Sequence, residues 1–289
     1  MNSAPGPGVY IHVPFCAGKC PYCDFYSLHA DEDTVSLYAR AVCGCIGASD
    51  FDGARADTVY FGGGTPPLLG ASNIGKILEA LSEKIAPDRP EITVEVNPRS
   101  GGKAFFGEIT ARGVNRVSIG LQSASRGELV FLGRRHTAAD AAGTAEQARR
   151  AEISNLSFDL MIGLPGQTAG SIGGSVRFCA ENGASHLSVY MLKIEPGTPF
   201  YARRASLSLP GDDETADLYL AACEEAEQRG FMQYEISNFA KPGYECRHNL
   251  KYWRSQDYLG FGPAAHSCFN GRRFHYVPDL RAFLRKPEK

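Results

Sequence analysis

The sequence predicts an α/β protein built as a partial (β/α)6 barrel with a small C-terminal α+β appendage. Two observations predict this class. Six short apolar, β-branched runs alternate with six longer segments of helical periodicity, which is typical of parallel βα units. Most of the predicted strands also end in a polar or glycine-rich segment, and (β/α) barrels keep their chemistry at the carboxyl ends of their strands.

The predicted elements alternate along the chain. The six strands are 9–13, 58–61, 92–96, 116–119, 157–162 and 186–192. The six helices are 33–46, 72–85, 103–112, 138–151, 171–182 and 213–229. The short apolar runs suit strands of a covered sheet, and the longer segments have the length and period of surface helices. An open doubly wound sheet fits the same alternation, and the polar strand ends favour the barrel.

The character of the chain changes near residue 230. Beyond that point the sequence becomes rich in tyrosine, glycine and asparagine, with fewer segments of helical period. We therefore predict a barrel domain over 1–230 and a smaller α+β appendage over 231–289.

Composition indicates an ordinary globular protein. Hydrophobic residues make up 43% of the 289 residues, and 30 basic side chains nearly balance 32 acidic ones. This balance predicts no nucleic-acid partner, and membrane contact only through another protein. The N-terminal segment has neither a basic stretch nor an apolar core, and nine cysteines in such a chain imply reduced thiols. The predicted location is the cytoplasm.

Cys16, Cys20 and Cys23 form the most informative motif, with C-x3-C-x2-C spacing. Cysteine thiolates are the usual ligands of iron–sulfur clusters. Three protein ligands on a 4Fe–4S cluster leave one iron open to a ligand that is not protein. The alternatives are a zinc site completed by a histidine, and thiols that only pack in the interior.

Polar residues at other strand ends point to a second ligand. Three glycines and a threonine follow the second strand, where missing side chains let a backbone approach a ligand closely. Carboxylates within apolar strands are costly to bury unless they are paired. Glu95, Gln122 and Asp159 therefore indicate a ligand with ammonium and hydroxyl groups. The alternative is a set of salt bridges with Arg116 or Arg134.

Together these segments resemble the radical S-adenosylmethionine (SAM) superfamily. Segments 10–16, 61–66, 95–98 and 159–165 are similar to the branch that holds oxygen-independent coproporphyrinogen III oxidase and the HemW-type heme chaperones. The resemblance implies a radical SAM barrel with a 4Fe–4S cluster on the three cysteines and SAM on the open iron. The SAM contacts that it implies are Tyr10, Gly63, Gly64, Thr65, Glu95, Gln122, Arg134 and Asp159.

Two features are similar to the chaperones rather than the oxidases. The oxidases carry a further cysteine two residues after the third, and Phe25 stands there in this chain. The segment His-Asn-Leu-Lys-Tyr-Trp over 248–253 matches the H-N-x-x-Y-W signature associated with heme binding in that branch. The implied heme residues are His248, Asn249, Tyr252 and Trp253. Read from the residues alone, the segment is better explained as an aromatic cluster in which His248 makes local hydrogen bonds, and the resemblance reverses this preference.

The resemblance implies a heme chaperone that binds heme and a SAM-ligated cluster. Its implied partners are heme-acceptor proteins, such as respiratory-chain hemoproteins, and an electron donor. The alternative function is an oxidase-like radical SAM enzyme that decarboxylates porphyrinogen propionates. Proteins of this group usually continue into a helical C-terminal domain, which we expect to be missing because the sequence ends at residue 289.

Overall fold

The structure is a computed structural model that describes residues 6–51, 53–85 and 90–286. Strands and helices alternate through its first two thirds. The strands of this part are β1 (Gly8–Val13), β2 (Thr58–Gly63), β3 (Glu91–Val96), β4 (Arg116–Gln122), β5 (Asn155–Ile162) and β6 (His186–Met191). The helices between them are α1 (Glu32–Ala48), α2 (Ala71–Ala80), α3 (Lys103–Thr110), α4 (Arg126–Phe131), α5 (Ala138–Arg150) and α6 (Ala169–Glu181).

The remaining elements are shorter, apart from one long helix. The helices are α7 (Pro199–Ala202), α8 (Asp212–Gln228), α9 (Arg247–Trp253) and α10 (Leu280–Arg285). The strands are β7 (Met232–Gln233), β8 (Asn238–Ala240), β9 (Tyr258–Phe261), β10 (His266–Phe269) and β11 (Arg272–His275). Short 3-10 helices span Pro66–Leu69, Ser82–Lys84 and Arg204–Ser206.

Within the described residues, all eleven strands form one sheet in the order β11-β10-β9-β1-β2-β3-β4-β5-β6-β8-β7. Strands β1 to β6 are neighbours in chain order and run parallel. The two end strands, β11 and β7, do not pair with each other, so the sheet is open. The predicted fold class, a partial barrel of six βα units, is confirmed.

The six parallel strands are amphipathic. In β3, Ile92, Val94 and Val96 are buried in the core that the sheet forms with the helices. Glu95 and the other residues of opposite parity face the concave side, because successive side chains of a strand alternate between its faces. The sequence predicted strands covered by apolar packing, and the structure adds an inner face that is polar.

Residues after 230 extend this sheet at both edges. β8 pairs antiparallel with β6, whereas β9 pairs parallel with β1 and carries the β10–β11 hairpin. A domain boundary at residue 230 stays a prediction. No helix in the described ranges combines the length and apolar character needed to cross a membrane.

Candidate functional site

The three-cysteine motif occupies a closed loop at the carboxyl end of β1. The Cys16 amide donates to the Leu28 carbonyl at 3.0 Å, and the Leu28 amide donates to the Pro14 carbonyl at 2.8 Å. A tighter turn lies within the loop, where the Cys23 amide donates to the Cys20 carbonyl at 3.1 Å. The loop therefore returns alongside its own beginning and holds the three thiols on one short segment.

The donor chemistry of this loop fits an iron–sulfur cluster. Burial raises the pKa of the Cys23 thiol, and the nearby Cys20 and Cys16 thiols add to the rise, so the three groups share one electrostatic environment. Among the described residues, no three His, Cys, Asp or Glu side chains meet closely enough to hold a single metal ion. The ligands of a four-iron cluster bind separate irons and need not meet at one point. No disulfide joins any of the nine cysteines, all of which lie in the described ranges.

The glycines after β2 let this strand end pack against the cysteine loop. A Cβ on Gly64 would lie 2.5 Å from the Phe15 carbonyl oxygen, and one on Gly63 would lie 2.5 Å from the His12 ring. The Gly64 amide donates to Val13 at 2.8 Å. The sequence predicted glycines that open the backbone to a ligand. At these two positions, the structure shows that glycine is needed because a side chain would clash with the end of β1 and the residues just after it.

A chain of polar contacts links two of the cysteines across the rim. Thr65 Oγ1 lies 3.5 Å from Cys16 Sγ and accepts from Asn97 Nδ2 at 2.9 Å. Arg134 Nη2 donates to Asn97 Oδ1 at 2.6 Å, and Arg134 Nη1 donates to Cys20 Sγ at 3.5 Å. Sequence reasoning missed Asn97, although its place two residues after Glu95 puts it on the inner face.

Glu95 and Asp159 are recessed on the concave side near the same rim. Glu95 accepts from the Tyr60 hydroxyl at 2.9 Å and from the Gly63 amide at 3.1 Å, and Asp159 accepts from Ser118 at 3.0 Å. Burial raises the pKa of Glu95 to about 7, with a further contribution from the charge of Asp159. Burial likewise raises the pKa of Asp159. The rim thus holds two carboxylates whose negative charge is poorly compensated.

The salt-bridge alternative for these carboxylates is not observed. No ion pair within 4.0 Å among the described residues includes Glu95 or Asp159. Arg116 is 1% exposed at the start of β4, and its Nε has no hydrogen-bond partner. Arg134 is held by the rim contacts described above.

Tyr10 and Gln122 complete the set of predicted SAM contacts. Tyr10 pairs with Tyr60 in the β1–β2 register, two residues before the glycines of β2 begin. The Tyr10 hydroxyl lies 3.1 Å from His12 Nδ1. Gln122 ends β4 beside a register shift, with a left-handed φ of 70°. The strained backbone at Gln122 marks the point where β4 leaves the sheet.

The H-N-x-x-Y-W segment forms α9, at the opposite end of the strands from the cysteine loop. His248 Nδ1 lies 2.8 Å from Thr58 Oγ1, and the His248 amide donates to Glu91 Oε1 at 3.0 Å. Thr58 and Glu91 are the first residues of β2 and β3. The two predicted ligand sites therefore lie at different ends of one concave face.

His248 itself is buried inside this face. It is 1% exposed, stacks on Tyr60 with ring centroids 5.2 Å apart, and has Nε2 2.8 Å from the Tyr252 hydroxyl. Burial lowers the pKa of His248 to about 3. Both ring nitrogens are thus engaged, and ligation of heme iron would require Tyr252 to leave Nε2. Of the other predicted heme residues, Tyr252 and Trp253 are exposed and Asn249 is half-buried.

Comparison with known proteins agrees with this architecture. The family model described as the radical SAM superfamily matches residues 10–179. Heme chaperone HemW of Synechocystis sp. is 39% identical over 276 residues, which cover 92% of this chain and 66% of the relative. Heme chaperone HemW of Bacillus subtilis is 37% identical over 281 residues, covering 95% of this chain and 74% of the relative. The chain therefore spans only part of these relatives' length.

A solved structure shares the fold. Coproporphyrinogen III oxidase (HemN) from Escherichia coli superimposes with a TM-score of 0.82 at 23% identity, covering 97% of this chain and 69% of that one. This likeness concerns the fold alone. The sequence relatives and the matched family model show that the chain belongs to the radical SAM superfamily and, within it, to the HemW-type family related to oxygen-independent coproporphyrinogen III oxidase.

Proposed function

We propose that this chain is a heme chaperone of the HemW type, which binds heme and a SAM-ligated 4Fe–4S cluster and passes heme to acceptor proteins. The observation that carries the proposal is that the cysteine loop and α9 lie at opposite ends of one concave face. The cysteine loop lies at the carboxyl ends of the strands, and the exposed aromatic side chains of α9 lie at the amino ends. The relatives named above as heme chaperones support it.

The proposed cluster ligands are Cys16, Cys20 and Cys23. When bound, the cluster supplies an electron to the sulfonium of SAM. The proposed SAM contacts are Tyr10, Gly63, Gly64, Thr65, Glu95, Gln122, Arg134 and Asp159. Radical SAM family membership implies both cofactors, and the assignment to individual residues is our proposal.

The charges of the rim match this ligand. SAM carries positive charge on its sulfonium and its ammonium group, and the rim offers the carboxylates of Glu95 and Asp159, whose pKa values are raised mainly by burial. Arg134 donates to Cys20 Sγ at 3.5 Å, so its positive charge lies beside one of the proposed cluster ligands. Asn97 fixes both Arg134 and Thr65 and thereby sets the position of each beside a cysteine.

Heme is proposed to bind beside α9, where Tyr252 is 39% exposed and Trp253 is 54% exposed. Flat aromatic surface of this kind suits a porphyrin. The sequence also assigned His248 and Asn249 to the heme site, and His248 could reach heme iron only if Tyr252 left its Nε2. Acceptors such as respiratory-chain hemoproteins, an electron donor, a cytoplasmic location and membrane contact only through a partner belong to the same proposal.

An anaerobic assay on one preparation tests this function. Reconstituted protein is titrated with hemin and, separately, incubated with coproporphyrinogen III, SAM and a reductant. We expect a saturable change in the Soret band and no accumulation of protoporphyrinogen. Turnover to protoporphyrinogen would contradict the chaperone proposal and support the oxidase-like alternative.

A pair of cysteine variants separates the cluster from the heme site. Cys20→Ala is expected to remove the brown cluster chromophore and to leave hemin binding in place, because the two sites lie at opposite ends of the strands. Cys43→Ala is the matched control, since this half-buried thiol lies on α1 and donates to the Lys76 carbonyl. Retention of the chromophore in Cys20→Ala would contradict the assignment of the ligands.

A further inference from the structure

We propose that two exposed histidines on the β10–β11 hairpin, His266 and His275, form the place where heme iron is ligated. The proposal rests on the proposed heme-binding function and names the site within it. His266 and His275 are register partners on the antiparallel hairpin, and their rings stack with centroids 5.0 Å apart and planes at 20°. Both side chains are exposed.

The histidine pair shares the concave face with α9. Tyr10 of β1 pairs with Gly260 of β9, and Tyr258 of β9 pairs with Cys268 of β10. His266 adjoins Gly260, because its carbonyl oxygen lies where a Cβ on Gly260 would be. The residues of the other parity on the hairpin, including Phe274, pack against the helix-covered core. The side chains of the histidine pair therefore point to the concave side.

Aromatic surface connects the pair to the H-N-x-x-Y-W helix. Tyr252 of α9 packs edge-on against Tyr258, with ring centroids 4.7 Å apart. Gly260 adds no side chain to this surface, and the His266 backbone packs directly on it. Adjacent strands lie about 4.8 Å apart, so His275, two strands from Gly260, is roughly 10 Å away, a span that one porphyrin ring covers.

The hairpin also offers a cation for the heme carboxylates. Arg273 pairs with Cys268, so its side chain lies on the same face as the two histidines. Cys268 also pairs with Tyr258, so Arg273 and Tyr258 flank the same residue from opposite sides, and the positive charge of Arg273 opposes the burial that raises the pKa of Tyr258. A guanidinium is well suited to a propionate because it can donate two parallel hydrogen bonds.

The chemistry selects this pair over His248 as the iron ligand. Imidazole nitrogen is a common axial ligand of heme iron. His248 is enclosed between Thr58 and Tyr252, whereas the hairpin rings are exposed. Two stacked rings on one side of a porphyrin cannot occupy opposite axial positions. One histidine therefore binds the iron, and the other flanks it as a replacement ligand when heme is handed on.

Hemin titration of the full chain and four variants tests the site. The variants are His266→Ala, His275→Ala, their double replacement and His248→Phe, with His29→Ala as the matched control at an exposed histidine just after the cysteine loop. We expect the double variant to lose about tenfold or more in hemin affinity and to lose the imidazole-ligated Soret band. Each single variant is expected to keep that band, and the control is expected to match the wild-type chain.

The readouts separate failure of this site from failure of the proposed function. Unchanged affinity and spectrum in the double variant would overturn the site, as would loss of the imidazole band in His248→Phe with an unchanged thermal midpoint. No hemin binding by the wild-type chain would overturn the proposed function and this site together. Circular dichroism and cluster absorbance report folding, and a double Gln replacement, which keeps polar side chains on the hairpin, must reproduce the spectral loss.

Discussion

Glu95 shares its carboxylate between the Tyr60 hydroxyl and the Gly63 amide, and its ligand-free pKa of about 7 predicts a pH-dependent SAM site. A bound cation favours the ionised carboxylate and lowers its pKa, so SAM affinity should rise as the pH increases from 6 to 8. Below the ligand-free pKa the expected slope approaches about tenfold per pH unit. Calorimetric titration of the anaerobic protein with SAM at several pH values measures this slope.

Two variants sharpen the Glu95 prediction. Glu95→Gln should weaken SAM binding and remove most of the slope, because the amide does not titrate. Glu79→Gln, at an exposed position on α2, should behave like the wild-type chain. A slope that persists in Glu95→Gln would assign the titration to another group.

Gly64 is predicted to tolerate no side chain. In Gly64→Ala the new Cβ would meet the backbone carbonyl of Phe15, which is itself held by the Thr65 amide at 2.7 Å. We expect a loss of about 1–3 kcal/mol in unfolding free energy and lower iron content, because the cysteine loop must shift. Urea unfolding and iron analysis measure both effects.

A second glycine provides the control for Gly64. Gly44 lies inside α1, and apart from the helix's own backbone no atom of the described residues lies within 4 Å of the place where a Cβ would be. Gly44→Ala should therefore stabilise the protein by about 0.5–1 kcal/mol through helix propensity. Equal behaviour of the two variants would contradict the steric explanation.

At the scale of elements, α9 is fixed to the sheet by charged side chains. Glu91 of β3 accepts from the Arg247 and His248 amides, both at 3.0 Å, and so caps the start of the helix. Lys251, 2% exposed, places Nζ 2.6 Å from Asp57 and donates to the Gly6 carbonyl at 2.6 Å. This seven-residue helix therefore depends on the sheet for its position.

Lys251→Met tests this dependence. The change removes the nearer of the two cations beside the partly buried Asp57 and leaves Arg247 at 3.6 Å, and we expect a loss of about 2–4 kcal/mol in unfolding free energy. Hemin binding should weaken as α9 loosens. Lys251→Met combined with Asp57→Asn should recover part of the loss. Lys76→Met, at an exposed site on α2, should have little effect, and a loss of similar size there would contradict the prediction.

The elements that sequence reasoning predicted are those with a local signal. The six strands and six helices follow from hydrophobic periodicity, and the cysteine loop follows from spacing within eight residues. The predicted helix over 72–85 is divided in the structure into α2 and the Ser82–Lys84 turn, while α4 and α7 are too short for a clear period. Boundaries of this kind depend on contacts outside the segment.

The contacts that sequence reasoning missed join residues distant in the chain. Asn97, after β3, accepts a hydrogen bond from Arg134, which lies beyond β4 in the chain. The rings of His266 and His275 stack only because the hairpin pairs in this register. The burial of His248 arises from strands that begin 190 and 157 positions earlier in the chain. A periodicity calculation on one segment contains none of this information.

At the scale of the whole molecule, buried histidines predict an acid-sensitive fold. Burial lowers the pKa of His12, His136, His186 and His248, to about 4 for His136 and about 3 for His248. Each is neutral when folded and gains a proton on unfolding below its ordinary pKa. Stability is therefore lost as the pH falls below about 6.5, by up to about 1.4 kcal/mol per pH unit for each histidine.

The raised carboxylate pKa values act in the opposite direction. Glu95 binds a proton more readily when folded, so its contribution favours the folded state as the pH falls through about 7. Four histidines outweigh Glu95 and Asp159, and the urea midpoint should be lower at pH 5.5 than at pH 7.5. His136→Asn should reduce that difference, and exposed His29→Asn should not. A pH-independent midpoint would contradict the prediction.

Because the two edge strands of the sheet do not pair with each other, a ligand has more than one route to the concave face. Among the described residues, β7 and β11 are the two end strands, and no strand bridges them. In a closed barrel, a ligand can enter only through one of the open ends, so the barrel diameter limits the size of the ligand. In this open sheet, a planar ligand on the concave face could arrive and depart past the β11 edge without the breaking of any described strand pairing.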